Sequence, residues 1–216
     1  MGTSDLVFES NFEFERRFFC RELPQSCMDD FPANLIIQNY YLSKEGYCIR
    51  VRIQSMSLKM KMSKTTDPLE ILDNYYDKFD MAMLTVKGPG AGGTRFESEM
   101  VLDPMVAKEL IRRGGKPIVK NRYSTWYDVD GWIVDVFGAK NHGLIVAECE
   151  RTSPVVNLKI PAFCTCEVTD DSRFSNDSLV NIPYLKFKTE FLKEVAEREL
   201  NVDDMFSSSF GLNVLG

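Results

Sequence analysis

The sequence predicts a mainly β fold, a closed antiparallel barrel or a sandwich, with helices at its periphery. Three observations support this: many short runs of alternating polarity, turn signals at regular intervals between them, and few stretches with helical spacing. Candidate strands lie at 11–20, 35–42, 47–54, 81–88, 94–102, 117–127, 130–137 and 143–151, with a further one at 162–168. Turns fall at Lys44-Glu45-Gly46, across the glycine-rich stretch 88–93 and at Asp130-Gly131, where the residue types tolerate a chain reversal. Many evenly spaced short strands favour closure or sheet-on-sheet packing, because both limit exposed edges.

The helical stretches carry their own signals. Asp103-Pro104 opens a segment running to Arg113, with a capping carboxylate, a proline in the first turn and Gly114-Gly115 as the stop. Leu185, Phe187, Phe191, Leu192 and Val195 give 184–200 an apolar face. Asp67-Pro68 begins a third candidate over 67–79. The tail, with Ser207-Ser208-Ser209 and two late glycines, is expected to fray. No internal repeat or low-complexity linker divides the chain, so residues 1–216 read as one domain.

Composition narrows the function classes. With 26 Lys+Arg against 32 Asp+Glu, the net charge of −6 argues against a generic nucleic-acid coat or a binder of anionic membranes. No apolar run approaches the ~20 residues that cross a bilayer. The start, MGTSDLVFES, lacks the basic and apolar parts of a signal peptide, and Leu6 breaks the myristoylation pattern. The cysteines at 20, 27, 48, 149, 164 and 166 contain no CxxC and read as free, partly buried thiols. A cytoplasmic protein without nucleic-acid or membrane partners is the expectation.

The chemistry lies in the alternation. Side chains two apart on a strand share a face. In Phe12-Glu13-Phe14-Glu15-Arg16-Arg17-Phe18, one face carries Glu13, Glu15 and Arg17; the other carries Phe12, Phe14, Phe18 and an out-of-place Arg16. Arg50 and Arg52 oppose Ile49, Val51 and Ile53, while Thr85 and Lys87 oppose Leu84 and Val86. Arg95, Glu97 and Glu99 oppose Phe96, and Lys120 pairs with Arg122. Asp135 stands among apolar neighbours, and Glu148 and Glu150 flank Cys149.

A solvated sheet face normally mixes in Thr, Ser and Gln. Formal charges on seven strands, paired on five of them, instead point to an enclosed interior, where both signs need partners or ligands. Carboxylates suit hard cations such as Mg2+ or Mn2+, and Arg and Lys suit phosphate oxygens. The two together fit a metal–phosphate complex. The chain has no P-loop, kinase signature or HExxH, and His142, in Asn141-His142-Gly143, reads as a turn residue.

An ordered set of motifs resembles the CYTH superfamily, the triphosphate tunnel metalloenzymes. Its members begin with ExExK, which stands here as Glu13-x-Glu15-x-Arg17. In order follow Tyr47-x-x-Arg50-Val51-Arg52, Leu84-Thr85-Val86-Lys87-Gly88, Arg95-x-Glu97-x-Glu99, Lys120-x-Arg122-Tyr123 and Val134-Asp135-Val136-Phe137. Gly143-Leu144-Ile145-Val146-Ala147-Glu148-x-Glu150 and Phe174-Ser175-Asn176-x-x-Leu179 complete it.

The resemblance implies an eight-stranded antiparallel β-barrel, a tunnel with peripheral helices. Its core would span about 11–184, with an insertion at about 55–80 and a C-terminal helix at about 184–200. It further implies hydrolysis of the terminal phosphate of tripolyphosphate, a nucleoside triphosphate or thiamine triphosphate. The alternatives on the same scaffold are a class IV-type adenylate cyclase and a non-hydrolysing nucleotide or polyphosphate binder. The partner would be a triphosphate-containing small molecule, the cofactor Mg2+ or Mn2+, and the protein a monomer or homodimer. By matched position, Glu13, Glu15, Arg17 and Glu148 would be catalytic. Arg50, Arg52, Lys87, Arg95, Lys120 and Arg122 would bind phosphate. Glu13, Glu15, Glu97, Glu99, Asp135, Glu148 and Glu150 would hold metal.

Two departures stand out. Arg17 replaces the family lysine, which keeps the charge but exchanges a point charge for a planar fork. Residues 55–80 are longer than the matching connection in compact members, with Met56, Met60 and Met62 interleaved with lysines. An extra surface hairpin and helix is expected there, with a lid or specificity element as the alternative.

Overall fold

The computed structural model describes residues 12–29, 32–91, 94–201, 204–207, 210 and 213–216, with backbone only at 12, 13, 29, 90, 91, 94 and 95. Eight main strands form where the alternation predicts them: β1 (Phe12–Phe19), β2 (Asn34–Lys44), β3 (Tyr47–Ser55), β4 (Met81–Ala91), β5 (Thr94–Leu102), β6 (Lys116–Tyr127), β7 (Asp130–Phe137) and β8 (Ile145–Arg151). They pair antiparallel in the order β1-β5-β4-β3-β2-β6-β7-β8, and β8 pairs again with β1. Each of the eight therefore has a strand neighbour on both edges. At the predicted β2–β3 turn, Glu45 and Gly46 have positive φ, and a Cβ on Gly46 would lie 2.9 Å from the Cα of Pro89.

Three further strands are short: β9 (Lys159–Ile160), β10 (Cys166–Glu167) and β11 (Val214–Leu215). The strand expected at 162–168 thus shrinks to two residues, because Cys164 donates back to the Pro161 carbonyl in a turn and only Cys166 and Glu167 pair with β1 as a ladder.

The helices are α1 (Gln25–Asp29), α2 (Pro68–Asn74), α3 (Pro104–Arg113), α4 (Asn176–Leu179) and α5 (Tyr184–Arg198). Asp67 and Asp103 cap α2 and α3 as predicted, each accepting from two backbone N–H groups. Such caps are worth roughly 1 kcal/mol apiece. The helix expected over 67–79 breaks after Asn74 and resumes as a single 3-10 turn at Tyr76–Lys78.

Two apolar cores lie on the outer face of the sheet. Leu35, Ile37, Val51, Ile53 and Val119 are covered by Ile71 and Leu72 of α2 and by Ala107 and Ile111 of α3. Phe18, Val134, Ala147 and Cys149 are covered by Cys27 of α1 and by Val155, Leu158, Ile160 and Cys164. The third core is different. Tyr40, Cys48, Ile118, Phe137 and Val146 share the face of the charged residues, yet they pack against Phe174, Leu179 and the α5 residues Tyr184, Phe187, Phe191 and Val195. Phe191 meets Phe19 edge-on at 5.0 Å and Phe174 at 4.6 Å between ring centroids. A backbone anchor seats the start of α5: Tyr184 donates its N–H to Asn141 Oδ1 at 2.7 Å.

Three expectations are corrected here. No hairpin forms in 55–80. The segment between β3 and α2 forms no strand, with Met60 exchanging backbone hydrogen bonds with the Asn121 amide, while Leu58, Met60 and Met62 join the core beneath α2 and α3. The described tail residues do not fray: Met205 is buried, β11 pairs with β9, and Gly216 donates to the Ile160 carbonyl at 2.9 Å. The six cysteines are free as expected, but all are buried rather than partly so. Among the described residues, no helix is long and apolar enough to cross a membrane.

Candidate active site

Residues directly opposed on antiparallel neighbours point the same way. Across β1–β8, Glu15 opposes Glu150 and Arg17 opposes Glu148. Arg122 opposes Asp135 across β6–β7, and Asp135 shares its face with Phe137 and Ile133, which oppose Lys120 and Ser124. Arg50 opposes both Tyr40 and Thr85, and Arg52 opposes Gln38. Thr85 opposes Glu99, Lys87 opposes Glu97, and Glu13 opposes Arg95. The register therefore brings every sequence-predicted site residue onto one face. Glu13 and Arg95 are placed by register alone, since their side chains lie outside the described residues.

On the β3–β5 wall, Arg50 Nη2 lies 3.2 Å from Glu97 Oε1 and 3.3 Å from Glu99 Oε1. Arg52 Nη2 donates to Glu99 Oε1 at 2.7 Å, Lys87 pairs with Glu97 at 2.5 Å, and the Thr85 hydroxyl donates to Glu99 at 2.7 Å. Burial would raise the Glu99 carboxyl, but Arg52, the Thr85 hydroxyl and Arg50 outweigh it and hold it at about 2. Burial, together with the positive charges of Arg50 and Arg122, pulls Arg52 below the usual arginine range. The buried Nε–H groups of Arg50 and Arg52 find no acceptor among the described residues. These donors face an anion-sized need, which fits phosphate.

On the opposite wall, Asp135 is 1% exposed and accepts a bidentate pair from Arg122, Nε at 2.8 Å and Nη2 at 2.7 Å, plus Lys120 at 2.5 Å. Burial would raise Asp135, yet Arg122 and Lys120 hold it well below the usual carboxylate range. Burial draws the Lys120 ammonium down to about 8 against the upward pull of Asp135. Lys120 also donates to Asn176 Oδ1 at 3.3 Å, where Ser175 caps α4. Glu15 pairs with Arg17 at 2.8 Å, and Arg122 stands 3.6 Å from Glu148. Burial, then the like charges of Glu15 and Asp135, push Glu148 upward.

That carboxylate crowding fits a hard divalent cation, since every donor is an oxygen and a cation would relieve the repulsion. Among the described residues, no three acidic, His or Cys side chains already converge as a ligand set. Tyr40 and Gln38 were not singled out in the sequence, while Thr85 was placed on the charged face beside Lys87 and Asn176 in a motif whose loop resembles one near a tunnel mouth, neither with a site role. Thr85 and Gln38 carried a signal, since each alternates in phase with charged or buried inner positions, but an uncharged residue does not announce itself. His142 sits where the turn reading puts it, as the C-cap of a 3-10 turn at Ala139–Asn141.

No protein-family model matches the chain. An inorganic triphosphatase from Acetivibrio thermocellus is 37% identical over 111 residues, covering 50% of this chain and 71% of that one. The crystal structure of an inorganic triphosphatase matches with a TM-score of 0.51 at 21% identity, over 78% of this chain and 93% of that one, a likeness of fold. The fold, the two-signed inner face and the sequence relative together define a hydrolase of the triphosphatase class. The chain belongs to the CYTH superfamily.

Proposed function

We propose that the ring of eight strands encloses a tunnel in which the protein hydrolyses the terminal phosphoanhydride of a triphosphate with Mg2+ or Mn2+, inorganic tripolyphosphate being the first substrate to test. The observation that carries this reading is Arg52, a half-buried guanidinium disfavoured by partial desolvation and by Arg50 and Arg122, whose enclosed Nε–H has no acceptor among the described residues. A phosphate oxygen supplies both the missing charge and the missing acceptor. The name of the Acetivibrio relative supports the choice of inorganic triphosphate. So does the apolar core under α5, which would stop one end of the tunnel and suit a short linear anion.

In this reading Arg50, Arg52, Lys87, Arg95, Lys120 and Arg122 bind phosphate oxygens and neutralise charge during transfer. Glu97, Glu99 and Asp135, which the sequence pattern offers to metal, aim those cations by pairing with them. Glu13, Glu15, Glu148 and Glu150 would hold the metal, with Arg17 orienting Glu15. The bound metal would supply Lewis-acid stabilisation of the phosphate oxygens. Water adds to the terminal phosphorus, the bond to the bridging oxygen breaks, and diphosphate and orthophosphate result. Positioning and electrostatics suffice, and no covalent enzyme intermediate is needed.

The test is phosphate release from tripolyphosphate, ATP, GTP and thiamine triphosphate with Mg2+, Mn2+ or chelator. Release that requires metal and is fastest with tripolyphosphate is expected. Cyclic AMP and diphosphate from ATP, or tight binding without release, would overturn hydrolysis.

A further inference from the structure

We propose that Arg16 is a positioning residue, through which the C-terminal segment sets the register of β1 and thereby the stance of Glu15 and Arg17. The inference rests on the proposed triphosphatase reading.

Arg16 lies between two inner-face residues, so its side chain emerges on the outer face, beside Phe18 and opposite Cys149. It is fully buried there. Its Nε and Nη2 donate to the two oxygens of Glu167 at 2.8 and 2.7 Å, and Nη1 donates to Asn213 Oδ1 at 2.9 Å. The guanidinium also stands 4.8 Å from the ring centroid of Phe210. A buried bidentate pair of this kind has one low-energy geometry.

The partners are themselves fixed. Glu167 accepts from the Thr169 hydroxyl at 2.6 Å and from the Ser207 N–H at 3.0 Å, and Asn213 donates to the Ser207 carbonyl at 2.9 Å. The same residues hold the Arg17 backbone: its N–H donates to Thr169 Oγ1 at 3.1 Å, and its carbonyl accepts from Val168 at 2.8 Å. On this edge β5 pairs only with Phe12–Phe14 and β10 only with Phe18 and Phe19. Residues 15–17 thus fall in a gap between two partner strands, and the 167–169 segment fills it.

A pin is needed at this point. Arg16 and Arg17 are adjacent and chemically alike, so a one-residue slip would present Arg16 inward and bury Glu15 among aromatics. The Glu167–Asn213–Phe210 grip accepts a single arginine and selects Arg16. Removing a group hydrogen-bonded to a metal ligand typically changes metal affinity or activity by about 10- to 100-fold, and a pin that sets where the whole ligand-bearing strand sits is expected to reach the lower end of that range.

The experiment compares the full-length protein with Asn213→Ala, Phe210→Ala and Arg16→Lys. Three quantities are read: Mn2+ affinity by electron paramagnetic resonance titration without substrate, kcat and KM for tripolyphosphate, and Tm. The expected result is Mn2+ affinity weakened about 10-fold or more, kcat lowered in proportion, and KM changed less than kcat. If the variants lose Tm but keep Mn2+ affinity and kcat within about twofold, well short of that range, the contact is structural only and the inference falls. A wild-type protein that binds Mn2+ but releases no phosphate from any triphosphate sinks the functional reading instead.

Discussion

The two charged walls are built from the same residue types and are balanced in opposite directions. On the β3–β5 wall, Arg50, Arg52 and Lys87 share the carboxylates of Glu97 and Glu99, and Glu99 is held at about 2. On the wall from β6 round to β1, Asp135 is taken up by Arg122 and Lys120, while Glu148 is pushed upward by burial, Glu15 and Asp135 more than Lys120 and Arg122 draw it down. One wall is short of negative charge and the other of positive charge. That asymmetry is what a bound anion with its cation would cancel, and it is where substitutions should separate the two roles.

The largest effect is expected from Glu148→Gln. Metal-dependent turnover should disappear from the phosphate-release assay while the far-ultraviolet circular dichroism stays native. Tm at neutral pH should rise, because a group with a raised carboxyl pKa destabilises the fold once it ionises. Full activity in this variant would remove Glu148 from the site.

Arg52→Met should lower kcat/KM by about 10²- to 10³-fold, the usual cost of losing one preorganised donor. It should leave Tm unchanged or higher, since partial desolvation and the like charges of Arg50 and Arg122 outweigh the pairing with Glu99 that is lost. A marked fall in Tm would mean that Arg52 serves the fold rather than an anion.

Asp135→Asn strands the buried Lys120 and the half-buried Arg122 and should cost about 3–5 kcal/mol in urea denaturation, as broken buried pairs do. The smallest effect should come from Glu99→Gln. A carboxyl held at about 2 adds stability that is present above its unfolded pKa, near 4.5, and is lost as pH falls toward 2. The variant should therefore be less stable than wild type at pH 7 and indistinguishable from it at pH 2, in urea melts across that range. An equal deficit at both pH values would show that Glu99 acts through packing.

Much of this could be read from residue order. Period-two alternation placed the strands and sorted Glu15 from Phe14, because the pleat allows no other assignment. Asp67 and Asp103 announced their helices through caps that are local. The features that were missed depend on distant partners. Nothing near Arg16 names Glu167, which lies 151 residues away. The Met–Lys alternation of 56–64 suits a hairpin strand or a strap tied by the Asn121 amide, and only the surface it meets decides. Phe187, Phe191 and Val195 revealed an apolar stripe but not that it would seat on the inner face of the sheet.

That seat also has a consequence for traffic. If α5 closes one end, entry and exit share a single doorway, so diphosphate and orthophosphate must clear it before the next molecule enters. Longer polyphosphates could insert only their tips and would be shortened from the terminus, one residue per visit.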